Sequence, residues 1–175
     1  MEAELSAKYI CDNGANMDNH INDNSMDLFF SCPPYADLEV YSDDPNDLSN
    51  MEHDEFFKVY KKCLKNTYKK LKDNRFAVIV MSEVRGKKGG YLGIIPATID
   101  CMVEAGYQYW NELILVNSAG TLPLRAGKSM HSSRKVGRMH QNVLVFFKGS
   151  PNSIKTEFGN VVGGLDMGEE DEQSL

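Results

Sequence analysis

Met26-Asp27-Leu28-Phe29-Phe30-Ser31-Cys32-Pro33-Pro34-Tyr35 is the stretch whose reading decides the fold. A short apolar run closed by two prolines predicts a buried strand that stops abruptly. Pro33 and Pro34 have no N–H to donate, fix φ, and restrict the residue before each of them. The backbone at Cys32 and Pro33 is therefore stiff and extended, with carbonyls that neighbouring strands cannot use. Tyr35 follows at the carboxyl end of the strand, where open α/β sheets bind ligands. Rigid acceptors beside a flat ring suit the holding of a planar, amino-bearing base. A proline-ended strand with a tyrosine in a turn accounts for these residues equally well.

Working outward, the chain alternates between strand and helix patterns. Ala7 to Cys11 reads as a short strand, ended by the Asp12-Asn13-Gly14 turn. Ala36 to Asn50 is an acidic loop, and Ser49 with Glu52 forms a capping-box signature opening a helix. Phe56, Phe57, Tyr60, Cys63, Leu64, Thr67, Tyr68 and Leu71 recur at helical spacing. Lysines 58, 61, 62, 65, 69 and 70 fall mostly on the opposite, solvated face. Asp73-Asn74 turns into Phe76 to Met81, an apolar run of the kind buried on both faces. Gly86 to Gly90 form a flexible basic loop. Pro96 near its start and Gly106 as its stop bound a second helix. Gln108 to Val116 and Gln141 to Lys148 are the last strands. The order predicts an α/β fold: a mostly parallel sheet with helices covering its faces and an antiparallel last strand.

Length and composition limit the function classes. A chain of 175 residues predicts one domain, at residues 1–150, and an acidic, disordered tail at 151–175. No apolar run reaches membrane-spanning length and no signal peptide stands at the amino end, which predicts a cytoplasmic protein. Cys11, Cys32, Cys63 and Cys101 are widely spaced without a CxxC pair, so no disulfide framework and no metal site is expected. Net charge is −6, but Asp166, Glu169, Glu170, Asp171 and Glu172 concentrate acid in the tail. Between Val116 and Gln141 the sign reverses: Arg125, Lys128, Arg134, Lys135 and Arg138 stand without a carboxylate. Glycines 120, 127 and 137 there predict a mobile loop. Such a segment is either a solvated loop or a phosphate-contacting one.

Cys32-Pro33-Pro34-Tyr35 resembles the catalytic motif of the DNA amino-methyltransferases, the S-adenosylmethionine-dependent enzymes that methylate the exocyclic nitrogen of adenine or cytosine. Their pattern is Asp, Asn or Ser, then Pro-Pro, then an aromatic residue; here Cys32 takes the first position and Ser31 precedes it. Arg75 to Val80 with Ser82-Glu83-Val84-Arg85, and Met139 to Lys148, look like further blocks of the same enzymes. The resemblance runs from about residue 8 to 150 and implies a Rossmann-like sheet. It implies that Ser31, Cys32, Pro33, Pro34 and Tyr35 form the pocket for a target base, which must swing out of the duplex to be reached. Tyr35 would stack on it, and the carbonyls at Cys32 and Pro33 would hold the amine. Arg125, Lys128, Arg134, Lys135, Arg138 and His140 would face DNA, although a structural histidine before a strand fits His140 as well.

One block of the family is missing. Its cofactor-binding glycine-rich turn would lie upstream of residue 1, and Phe158 to Gly164 is a glycine cluster without the strand and helix that such a turn needs. The sheet would thus lack its first strands. Asp12 resembles the acidic residue that contacts the cofactor adenine, though a plain Asx turn fits equally. Three readings stay open beside a self-sufficient DNA methylase: a different acceptor such as RNA or a protein amide, a non-catalytic subunit, and a split enzyme whose second chain supplies the cofactor half. A cysteine nucleophile attacking cytosine carbon 5 is disfavoured, because Cys32 precedes the prolines and has no basic neighbour in sequence.

Overall fold

The computed structural model describes residues 6–34 and 41–160. Tyr35 and the acidic tail from Val161 onward lie outside them. Four strands, β1 (Met26–Ser31), β2 (Leu71–Met81), β3 (Gln108–Val116) and β4 (His140–Lys148), form one sheet in the order β1-β2-β4-β3. β1 and β2 are parallel, and β4 runs antiparallel to both β2 and β3. Three strands therefore point one way and the last strand is inserted against them, the mixed arrangement expected.

Helix α1 (His53–Lys70) connects β1 to β2, and α2 (Ile94–Ala105) connects β2 to β3. Phe56, Tyr60, Leu64 and Thr67, on one stripe of α1, are buried, and Ile94, Thr98, Cys101 and Met102 are buried on α2. Both stripes join Ala77, Ile79, Met81, Leu144 and Phe146 in a single core. Tyr60 Oη and Thr98 Oγ1, 2.9 Å apart, tie the helices together inside it. Successive crossovers that are both right-handed and advance across the sheet in one direction place their helices on the same side. This corrects the expectation of helices on both faces. Among the described residues the opposite face carries the corner helix α4 (Ile154–Phe158), whose Phe158 packs on Phe76 at 5.4 Å.

Local differences from the sequence reading have physical causes. Ala7 to Cys11 pairs with nothing and is exposed, so the outer edge of β1 is unpaired among the described residues. Ser49 does not cap α1: it closes a 3-10 turn over Leu48–Asn50 capped by Asp47, and α1 starts after Glu52. Asp73-Asn74 is no turn but an irregularity inside β2, with Asn74 at φ 59°, a conformation asparagine tolerates. Asn74 Oδ1 accepts from Ser150 N, fastening the end of β4 there. Residues 122–133 form helix α3 (Leu122–Ser133) rather than a mobile loop. Pro123 sets its first turn and Arg134, at φ 54°, ends it; Leu122, Ala126 and Ser129 make its half-buried stripe.

Two lysines are buried. Lys70, expected on a solvated face, instead meets Asp18 and Asp23, each at 2.6 Å, which fixes the amino-terminal segment to the end of α1. Lys148 donates to the carbonyls of Tyr68 at 2.9 Å and Leu71 at 2.7 Å, and to Asn24 Oδ1. A cation on the last carbonyls of a helix satisfies acceptors that the helix itself leaves open.

Candidate functional site

β1 ends at Ser31, and Cys32, Pro33 and Pro34 continue as irregular backbone along the wall of a cleft of about 930 Å³. Phe29 and Ser31 line it from the strand, and Tyr60, Cys63, Leu64 and Thr67 from α1. The Cys11–Asn13 segment and the Asp44–Leu48 loop close its sides. The corner is therefore open to a space large enough for a small planar ligand. Cys32 is exposed, whereas Pro33 and Pro34 are half-buried. The cleft brings Asp12 onto the same walls as Ser31 to Pro34.

Asp12 is already engaged. Its Oδ1 accepts from Asn13 N at 2.6 Å and Asn16 Nδ2 at 3.0 Å, and its Oδ2 lies 2.6 Å from His20 Nε2. The His20 contact first, then Asn16 and Asn13, hold its carboxyl below the ordinary carboxylate value. The 3-10 turn Gly14–Asn19 produces this arrangement, and Asn13 caps it through Ala15 N. His20 was missed from sequence, although Asp12, Asn16 and His20 recur every four residues. On the far side Asp47 is likewise lowered, first by Ser49 N and then by the Ser42 and Ser49 hydroxyls. Burial pushes the Cys63 thiol up.

The predicted basic residues divide into two groups. Arg125 and Lys128 are exposed on α3, and Arg134 folds back so that its Nη1 donates to Met130 O. Lys135 and Arg138 instead lie against the loop after β2, while His140 opens β4 opposite Val116. That loop is more ordered than its glycines predicted. Leu92 N donates to Val84 O, Gly86 N to Gly90 O, and Gly89 N to Gly86 O, with Gly89 at φ 88°. Glu83 fastens the loop to α2: its carboxylate accepts from Gly93 N at 3.0 Å and Ile95 N at 2.7 Å. Because β4 runs against β2, Ser82 and Arg138 emerge at the end of the sheet where Cys32 follows β1.

Among the described residues no three His, Cys, Asp or Glu side chains gather into a metal-holding group. No helix among them is long and apolar enough to cross a membrane.

Comparison with known proteins bears on this arrangement. No curated protein matches the sequence. A solved putative DNA modification methylase from Thermus thermophilus superposes with a TM-score of 0.57 at 12% identity. The match covers 79% of this chain and 51% of that one. Its complex with S-adenosyl-L-methionine gives 0.56 at 13% identity, over 79% and 54%. PvuII DNA methyltransferase, described as cytosine-N4-specific, gives 0.57 at 18% identity, over 78% and 47%. The chain thus spans about half the length of these structures. At such identities they establish the fold alone, one shared with these methyltransferase structures. A family model described as DNA methylase matches residues 26–168, from the first residue of β1 through the diproline corner and all four strands. The chain belongs to the N6/N4 DNA methylase family.

Proposed function

We propose that this chain is the target-facing part of a DNA methyltransferase that acts on the exocyclic amine of an adenine or cytosine turned out of the duplex. The observation that carries the reading is the open cleft beneath Cys32-Pro33-Pro34, in a chain of this family. A base inside a duplex cannot be reached by an enzyme, so extrusion into a pocket is required. Tyr35 would stack on the base, a contact worth ~1–3 kcal/mol that does not depend on base identity. The amine is a poor nucleophile because its lone pair is delocalised into the ring. Main-chain carbonyls at Cys32 and Pro33, held stiff by the prolines, would accept its two hydrogens and favour a pyramidal nitrogen. A thiol is a weak acceptor, so Cys32 acts through its carbonyl, with the Ser31 hydroxyl beside it. Arg125, Lys128, Arg134, Lys135, Arg138 and His140 would track the backbone.

The methyl donor expected of the family is S-adenosylmethionine, and the described residues do not make a complete seat for it. Both Asp12 oxygens are occupied by protein donors, and β1, the first described strand, is followed by Cys32-Pro33-Pro34 rather than by a glycine-rich turn. No step through the donor is assigned to these residues. We infer that a further polypeptide segment, holding the cofactor half, pairs with the edge of β1 that is unpaired among the described residues and covers the exposed Leu28 and Phe30. Its source is either the same polypeptide or a second chain. The engaged Asp12 also favours a second reading, a subunit that binds DNA without transferring methyl groups.

Methyl transfer from labelled S-adenosylmethionine to genomic DNA tests the first reading. Tyr35→Ala should abolish transfer while leaving the melting temperature unchanged; full activity in that variant would refute the pocket. Expression of the chain together with its natural flanking coding sequence separates the second reading, which requires duplex binding without any methyl transfer.

A further inference from the structure

We infer that Arg85 and Arg138, braced on the ring of Tyr91, form a preformed seat for a backbone phosphodiester of the bound DNA. The inference rests on the DNA reading above and adds two residues, Arg85 and Tyr91, to the contact surface. The Arg85 guanidinium carbon lies 4.1 Å from the Tyr91 ring centroid, and that of Arg138 lies 5.3 Å from it. The two arginines are 53 positions apart in sequence. They arrive from separate loops, one leaving β2 and the other entering β4.

Both loops are held in place. Arg85 and Tyr91 form an antiparallel bridge across the turn. Arg85 Nη1 donates to Gly89 O at 3.0 Å, and Arg138 Nη1 approaches Ser82 Oγ at 3.5 Å. Lys135 adds a third charge: a Cβ built on Gly89 would fall 2.7 Å from its Nζ, so the ammonium lies directly over that glycine.

Three cations this close repel one another, and among the described residues none of the three has a carboxylate partner. A guanidinium has five N–H donors, and each arginine uses one on the protein. The remaining forks match a phosphate in geometry and charge. The ring limits how far they can move, so little ordering cost remains at binding.

The ligand is a strand of nucleic acid rather than a small anion because of where the seat lies. Tyr91 is 48% exposed, at the same end of the sheet as the diproline corner. β2 separates β1 from β4, so the strand ends are on the order of 10 Å apart. A phosphate next to an extruded nucleotide falls within that range.

Binding of the full chain to a labelled DNA duplex, followed by fluorescence anisotropy across a salt series, tests the seat. R85Q and R138Q should each lower the slope of log K against log salt by about 1. K155Q, which removes a charge on α4 at the opposite end of the sheet, should leave it unchanged. Y91A keeps every charge and should weaken binding, and Y91F should restore it. If R85Q fails to fold, R85K, which keeps the charge but loses the fork, should weaken binding with the slope intact. A salt-dependent wild type with unaltered slopes in R85Q and R138Q would overturn the seat and leave the DNA reading standing. A wild type that binds no duplex, or prefers the RNA counterpart, would overturn the DNA reading itself.

Discussion

Beneath α1 and α2 the sheet is sealed at β2 and β4; on its other side the outer strands β1 and β3 are exposed. Ala77, Ile79, Leu144 and Phe146 are wholly buried on the first face, whereas Leu28 is 56%, Phe30 61% and Leu113 55% exposed on the second. The strands carry comparable apolar residues on both sides, so composition does not explain the contrast. Parallel strands are normally covered on both faces, because each crossover adds a helix to one of them. Here both crossovers fall on one side, and among the described residues the second layer is the corner where Phe158, Phe76, Phe147 and Trp110 meet. Among the described residues, the exposed Leu28 and Phe30 and the unpaired edge of β1 lie together. Together they define the surface that a cofactor-binding half would need.

Core substitutions give the largest test of that contrast. Phe146→Ala should cost ~3–5 kcal/mol in denaturant melts, the usual loss on emptying a sealed aromatic site. Phe30→Ala in the same chain should change stability by less than about 0.5 kcal/mol. Equal losses would show that the second face is covered after all. Tyr107, at the sealed face, makes a hydrogen bond to Thr67 Oγ1, and burial pushes its phenol up to about 12. Its folded value lies above the ordinary 10.0, so its contribution is complete below pH 10 and disappears as pH rises toward 12. The loss is on the order of 2 kcal/mol, measurable by alkaline unfolding of wild type against Tyr107→Phe.

Smaller effects sharpen the picture at its margins. Lys148→Met leaves the carbonyls of Tyr68 and Leu71 without their donor and should cost ~1–3 kcal/mol in thermal melts. At the cleft and along the edges, Asp12, Asp18, Asp27 and Asp47 all have lowered pKa values. Their folded states bind fewer protons, so their stabilisation is present above the ordinary value of 3.8 and is lost as pH falls through the lowered ones. The melting temperature should hold from neutral pH to about that value and then drop. Asp12→Asn should flatten part of the drop.

Much of this was legible in the sequence where the determinants are local. The prolines ended β1 at Ser31, periodicity gave the buried stripe of α1, and Gly106, at φ 111°, stopped α2 as expected. Features set by distant partners were not legible. Lys70 read as a surface lysine because Asp18 and Asp23 lie 52 and 47 positions away in sequence. Gly127 and the polar residues around it hid α3, whose ends depend on Pro123 and on Arg134 in a left-handed conformation. The facial asymmetry of the sheet required the strand order, which no local pattern contains. The corner itself was read from Cys32, Pro33 and Pro34, but the Asp12–His20 pairing at its side needed the fold of the amino-terminal turn.

The central claim is that a diproline corner presents an exocyclic amine for methylation. Its most direct test is to express the chain together with its natural flanking coding sequence, digest the cellular DNA to nucleosides, and identify methylated bases by mass spectrometry. The account predicts N6-methyladenine or N4-methylcytosine in the wild type and neither in Tyr35→Ala. Recovery of 5-methylcytosine instead, or of the same amine-methylated base from the Tyr35→Ala strain, would contradict it.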